Sequence, residues 1–110
     1  DTMFGGDGDD VLDGGDNGDK IYGGTGFDTV YAGAGNDTVH GGNGRDLTYL
    51  GAGADLFFDN EQAGTLGQDT VYAGGGNDTI QGGNGGDVFH GVGGNDLIFA
   101  RLGDDLLFGG

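Results

Sequence analysis

Eleven aspartates stand in register along this chain: Asp10, Asp19, Asp28, Asp37, Asp46 and Asp55, then Asp69, Asp78, Asp87, Asp96 and Asp105. Each step is nine residues except one, which is longer by five. Glycines precede every aspartate at fixed offsets. Carboxylates beside glycine-rich backbone form a set of hard oxygen donors, because a glycine carbonyl has no side chain to shield it. Hard divalent cations take such donors, and calcium takes six to eight of them at about 2.3–2.6 Å. Other chemistries have little to work with. The chain has no Ser or Cys to act as a nucleophile. Its two histidines, His40 and His90, read as surface residues, since a zinc site needs ligands that converge. An EF-hand loop ends in a glutamate, and the only one here is Glu61, which closes no such loop. Metal ligation already accounts for the paired carboxylates, so a glycosidase reading adds nothing. No dinucleotide or P-loop glycine pattern occurs.

The aspartates must be held by a repeated unit of nine positions, with aspartate sixth. Six units run from Gly5 to Phe58 and five from Gly64 to Phe108, separated by an insertion at 59–63. Asp1–Phe4 is the tail of an earlier unit and Gly109–Gly110 the start of a later one, so residues 1–110 read as one repeat segment cut from a longer array. Position four is Gly in ten of the eleven units. Its exception, Asn17, also tolerates a left-handed backbone. Position two is Gly in eight; Thr65, Val92 and Arg101 break it. Position one is Gly or Ala except at Leu50. Position eight is Leu12, Ile21, Val30, Val39, Thr48, Phe57, Val71, Ile80, Phe89, Ile98 and Leu107, apolar in all but Thr48.

Repeats of this length build stacks in which no unit is stable alone. The expected unit is a six-residue turn and a three-residue strand, with position eight inward and positions seven and nine outward. Two units make one circuit, giving an all-β coil of two parallel sheets. A helix is excluded, since each glycine would cost about 0.8–1 kcal/mol relative to Ala. Turns two units apart then lie side by side. Asp10 faces Asp28, Asp19 faces Asp37, and so on at the strand spacing of ~4.8 Å, where like charges repel unless a cation lies between them. Each gap is a candidate cation site. Four gaps precede the insertion, three follow it, and two more span it if the insertion only bulges. Asp7, Asp9, Asp13, Asp16 and Asp104 are acidic extras outside the column.

Composition fits this reading. The net charge is −16 against three Lys and Arg, and Leu, Ile, Val and Phe number 25 of 110 residues. Such a chain sits near the limit of foldability unless its charge is neutralised from outside. Eight divalent ions would cancel it. The acidity excludes nucleic acid as a partner. No apolar run reaches the roughly 18 residues of a transmembrane helix. The first residues are acidic and glycine-rich, unlike a signal peptide. There is no Cys, so disulfides contribute nothing. Position nine carries Tyr22, Tyr31, Tyr49, Phe58, Tyr72, Phe99 and Phe108, residues that suit an exposed sheet surface. Leu97, Phe99, Leu106 and Phe108 all point outward, a patch expected to be covered by a C-terminal capping segment or a second chain.

Units such as Gly23-Gly24-Thr25-Gly26-Phe27-Asp28-Thr29-Val30-Tyr31 and Gly82-Gly83-Asn84-Gly85-Gly86-Asp87-Val88-Phe89-His90 resemble the glycine-rich nonapeptide of the RTX (repeats-in-toxin) family. The resemblance covers most of the chain. It implies a parallel β-roll, a right-handed β-solenoid of two sheets with two repeats per turn. It implies several bound Ca2+, roughly seven to nine. The eleven column aspartates would be metal ligands, together with the backbone carbonyls of Gly6, Gly8, Gly15, Asn17, Gly24, Gly26, Gly33, Gly35, Gly42, Gly44, Gly51, Gly53, Gly74, Gly76, Gly83 and Gly85. It further implies a non-enzymatic module of a secreted bacterial protein, exported by a type I route and folding on extracellular calcium. The alternative is an adhesin or glycan-binding structural module of an extracellular enzyme or toxin. Ice binding would need regular outward threonine rows, and Thr29, Thr38, Thr70 and Thr79 are too few.

Overall fold

The computed structural model describes residues 1–59 and 67–110. Asn60–Ala63 of the insertion and Gly64, Thr65 and Leu66 of the seventh unit lie outside the described residues. Twelve strands follow one another: β1 (Thr2–Asp7), β2 (Val11–Asp16), β3 (Lys20–Gly26), β4 (Thr29–Ala34), β5 (Thr38–Gly44), β6 (Leu47–Ala52), β7 (Leu56–Phe58), β8 (Thr70–Gly75), β9 (Thr79–Gln81), β10 (Val88–Gly93), β11 (Leu97–Phe99) and β12 (Leu106–Phe108). Odd strands from β1 to β11 form one six-stranded sheet, and β2, β4, β6, β8, β10 and β12 form the other. All pairings are parallel. The architecture is the two-sheet β-roll expected, with two units per circuit.

The strands differ from expectation in length. Eight of them run six or seven residues and continue past position nine into the glycine-rich stretch. Successive turns pair there through their main chains, as Gly6 with Gly24 and Gly33 with Gly51. The period-two alternation therefore extends one step further: position eight points in, nine out, and one in again. Leu50, Ala32 and Ala73 at position one are fully buried beside Ile21, Val30, Val39, Phe57, Val71, Ile80 and Phe89. Position one is thus part of the core, which is why its occupants are small or apolar. Thr48 stands in the same interior column, its hydroxyl without a hydrogen-bond partner among the described residues.

The insertion leaves the two-sided alternation intact. Across it β6 still pairs with β8 and β7 with β9, with Leu47 opposite Thr70 and Phe57 opposite Ile80. The left-handed turn backbone is also kept where glycine is missing. Asn17, Val92 and Arg101 all have positive φ, near 75–77°. For Asn this is tolerable; for β-branched Val it is strained.

Outer position nine forms two columns of stacked rings. On one sheet Phe4, Tyr22, His40 and Phe58 follow one another at centroid spacings of 4.9, 4.7 and 5.3 Å. On the other Tyr31, Tyr49, Tyr72, His90 and Phe108 do so at 5.2, 5.0, 4.5 and 4.6 Å. Both histidines are therefore members of aromatic stacks on opposite sheets.

Candidate metal centre

The column aspartates close each turn at the end of its glycine-rich stretch and turn their carboxylates into the roll. Asp28, Asp37, Asp55 and Asp78 are about 1% exposed, and Asp19, Asp46, Asp69 and Asp87 scarcely more. One oxygen of each pair of neighbours is spoken for. The Asp10 N–H donates to Asp28 Oδ1 at 2.9 Å, Asp19 to Asp37 at 2.8 Å, Asp28 to Asp46 at 3.0 Å and Asp37 to Asp55 at 2.8 Å. The ladder crosses the insertion, from Asp46 to Asp69 at 2.8 Å and from Asp55 to Asp78 at 2.9 Å. It then continues through Asp69–Asp87, Asp78–Asp96 and Asp87–Asp105. The Asp1 ammonium forms a close ion pair with Asp19 Oδ1.

The second oxygen is different. Oδ2 of Asp10, Asp19, Asp28, Asp37, Asp46, Asp55, Asp69, Asp78 and Asp87 is buried and has no hydrogen-bond partner among the described residues. A buried charged acceptor left bare costs several kcal/mol. Burial accordingly pushes seven of these carboxyls, from Asp28 to Asp87, above the ordinary aspartate value. Asp28, Asp37, Asp78 and Asp87 are raised chiefly by desolvation. Asp46 and Asp55 rise to about 6, desolvation first, the ladder N–H opposing it and neighbouring carboxylates adding to it. Asp69 rises to about 8 for the same reason, with Asp59, Asp46 and Asp87 adding repulsion. A row of buried anions, each with one bare oxygen, fits a cation with oxygen preference.

The glycines supply the rest of the lining. A Cβ added at Gly24 would overlap the Gly6 carbonyl oxygen; at Gly26 it would overlap that of Gly8, at Gly42 that of Gly24 and at Gly51 that of Gly33. Carbonyls at positions two and four thus lie against the glycine of the next turn, and only glycine allows that approach. At position one of unit three, a Cβ on Gly23 would come within 2.6 Å of Asp28 Oδ2. The expected carbonyls of Gly6, Gly8, Gly15, Asn17, Gly24, Gly26, Gly33, Gly35, Gly51 and Gly53 are brought against the next turn in this way, whereas Gly83 meets Asp59 Oδ2 instead of a carbonyl. Among the described residues no three His, Cys, Asp or Glu side chains gather closely enough to hold a metal by themselves. An ion here would have to draw on main-chain oxygens as well as carboxylates.

Some participants were not legible from the repeat. Position five carries a second ladder: Asp9 Oδ1 accepts from the Phe27 N–H at 2.8 Å, Asn36 Oδ1 from Ala54 at 2.9 Å and Asn77 Oδ1 from Asn95 at 2.8 Å. Its only sequence signal is an excess of Asp and Asn before the column aspartate. Asp1 also belongs to the column, one unit before Asp10. His40 and His90 lie on opposite sheets and share no site.

No curated protein and no solved structure matches the chain. The family model of the RTX calcium-binding nonapeptide repeat does, in four copies that overlap in two pairs, at residues 1–30 and 22–57 and at 63–98 and 81–110. With the period, the paired turns and the matched residues spanning nearly its whole length, this chain belongs to the RTX calcium-binding nonapeptide repeat family.

Proposed function

We propose that this chain is a non-catalytic module whose folding is driven by calcium. The observation that carries the reading is the row of nine buried aspartate Oδ2 atoms without hydrogen-bond partners among the described residues. Without a cation the roll must hold these charges bare, at a net charge of −16. Residues that would hold calcium are the column aspartates and the carbonyls at positions two and four. Bound calcium supplies the counter-charge that the three Lys and Arg cannot. Adjacent gaps share an aspartate, so filling one orders half of the next, and uptake is cooperative. The unbroken ladder from Asp46 to Asp69 and from Asp55 to Asp78 supports counting the two gaps at the insertion, nine in all.

In this reading the chain is disordered at the submicromolar calcium of a cell interior and folds at the millimolar calcium outside. That suits a segment of a secreted bacterial protein exported unfolded by a type I route. The exposed Leu97, Phe99, Leu106 and Phe108 support a covering segment or a second chain at that end. A glycan-binding role gains little from the aromatic columns: within each stack, ring faces are taken by neighbouring rings, leaving mostly edges for a sugar.

Circular dichroism during a calcium titration tests this. Sheet signal is expected to be absent in chelator, to appear steeply with calcium, and not to appear with magnesium at the same concentration. A sheet-rich chain in strong chelator would overturn the proposal.

A further inference from the structure

The two outer faces of the roll differ in charge. On β4, β6, β8, β10 and β12 the outward residues are Thr, Leu, Val, Tyr, His, Phe, Gly and Ala, and none is Asp, Glu, Lys or Arg. The other sheet carries the exposed Asp7 on β1 and Lys20 on β3. In a chain of net charge −16 a sheet face free of charge over five strands stands out. Several of its large side chains are open to solvent: Tyr31 is 44% exposed, Tyr49 37%, Leu106 51% and Phe108 44%.

This face also has relief. The stacked rings of Tyr31, Tyr49, Tyr72, His90 and Phe108 form a ridge along the roll axis. Two residues further along the strands stand Gly33, Gly51 and Gly74, paired in register, and after them the exposed Ala34, Ala52 and Gly75. Beside the ridge therefore runs a trough, roughly 7–10 Å away, with nothing larger than a methyl group over three rungs. Val92 enters it at the β10 rung, with Gly93 after it. Thr70 opens β8 and the trough lies at its other end, so the whole strip falls among the described residues.

We propose that this uncharged face is a docking surface for a second copy of the chain, the ring ridge of each copy lying in the trough of the other. Three observations select that partner. Two copies of so acidic a chain repel, and this strip is where they can touch without bringing like charges into contact. The rungs are spaced at 4.5–5.2 Å, a pitch that a second roll matches rung for rung, as paired sheets do in a dry zipper. Ridge and trough lie side by side on one face, so a two-fold axis parallel to the roll and midway between them makes the face complementary to itself. A sugar would need ring faces, and those are taken within the stack. Five strands at ~4.8 Å and six residues at ~3.3 Å give about 480 Å² per copy. The pair then covers about 1,000 Å², the lower end for a specific interface. The axis keeps both rolls pointing the same way, so the β2 rungs meet. There the exposed Asp13 stands in the ridge place and Asp16 in the trough. Their mutual repulsion opposes the pair at that end and is screened by salt.

Sedimentation equilibrium of the full chain at saturating calcium, up to ~0.1 mM as suits a small interface, tests this. Wild type is expected to show a reversible monomer–dimer equilibrium that tightens with salt. Ala52→Asp sets a carboxylate in the middle of the trough, a residue the repeats already carry at that place in Asp7 and Asp16. It is expected to weaken the dimer at least about tenfold. Gln81→Glu adds the same charge to β9 of the other sheet and is expected to match wild type. Asp16→Asn is expected to tighten the pair. Circular dichroism on each protein shows that the roll is formed, and Tyr49→Thr, which lowers the ridge with a residue that suits a strand, replaces Ala52→Asp should that variant not fold. A folded wild type that stays monomeric overturns the proposal. So does growth beyond a dimer, the mark of end-on stacking, an equal loss in Gln81→Glu, or a dimer loosened by Asp16→Asn. Failure of the calcium reading registers in circular dichroism, failure of the interface in the mass.

Discussion

Alanine at three glycines separates two costs that the turns impose. Gly75 has no positive φ, and a Cβ there meets nothing within 4 Å. Gly6 has φ +105° but equally open surroundings. Gly33 has φ +113°, and its Cβ would overlap the Gly15 carbonyl oxygen of the turn before. Gly75→Ala should therefore change stability by no more than about 1 kcal/mol, with a gain expected from the stiffer unfolded chain. Gly6→Ala bears the backbone strain alone, about 1–3 kcal/mol. Gly33→Ala bears that strain and must also push two turns apart, a further 1–3 kcal/mol or so of overpacking, for a total near 4 kcal/mol. If about eight ions leave together on unfolding, such a penalty is shared among them. A loss of about 4 kcal/mol then moves the calcium midpoint only about twofold, and about 2 kcal/mol moves it about 1.5-fold. Urea melts at fixed saturating calcium give the free energies directly, and the calcium titration gives the midpoints. The reasoning is refuted if Gly33→Ala is no more costly than Gly6→Ala, or if Gly75→Ala is the worst of the three.

Three further outcomes follow from single features. The ion-free chain should gain sheet on acidification. The buried carboxyls of Asp46, Asp55 and Asp69 have folded values of about 6, 6 and 8 against 3.8 for an ordinary aspartate. Raised values mean that the unfolded chain gives up these protons first. Stability is then fully present below about pH 3.8 and is lost as pH rises through 6 to 8. Circular dichroism in chelator at pH 8 and pH 5 checks the sign, and less sheet at pH 5 would contradict it. Thr48→Val should stabilise the calcium-loaded roll by about 1–2 kcal/mol, because it removes a buried hydroxyl that has no partner among the described residues, at nearly constant shape; a lower urea midpoint argues against it. Val92→Gly should gain about 1–2 kcal/mol by releasing a β-branched residue from φ 75°, and an unchanged or lower melting temperature would show that the strain is not there to release.

Much of this protein was legible because its unit is short and each unit meets only its neighbours. The nine-residue period placed the aspartates in one column, position eight in the core and the left-handed turn at Asn17, all local consequences of glycine, alternation and spacing. What stayed hidden depends on atoms 18 or 23 residues apart. Nothing in the spacing says that the Asp28 N–H takes one oxygen of Asp46 and leaves the other bare. Alternation alone did not reveal that it runs on through the glycines and makes Leu50 core. The stacking of His40 between Tyr22 and Phe58 required the sheet register. The five added residues could equally have swapped the two sheets. Only the tertiary pairing of β6 with β8 and β7 with β9 decided that they did not, and in doing so set Asp59 against Gly83. Local backbone preferences are written in the unit itself, whereas the partner of each polar atom is chosen by whichever turn comes to lie beside it.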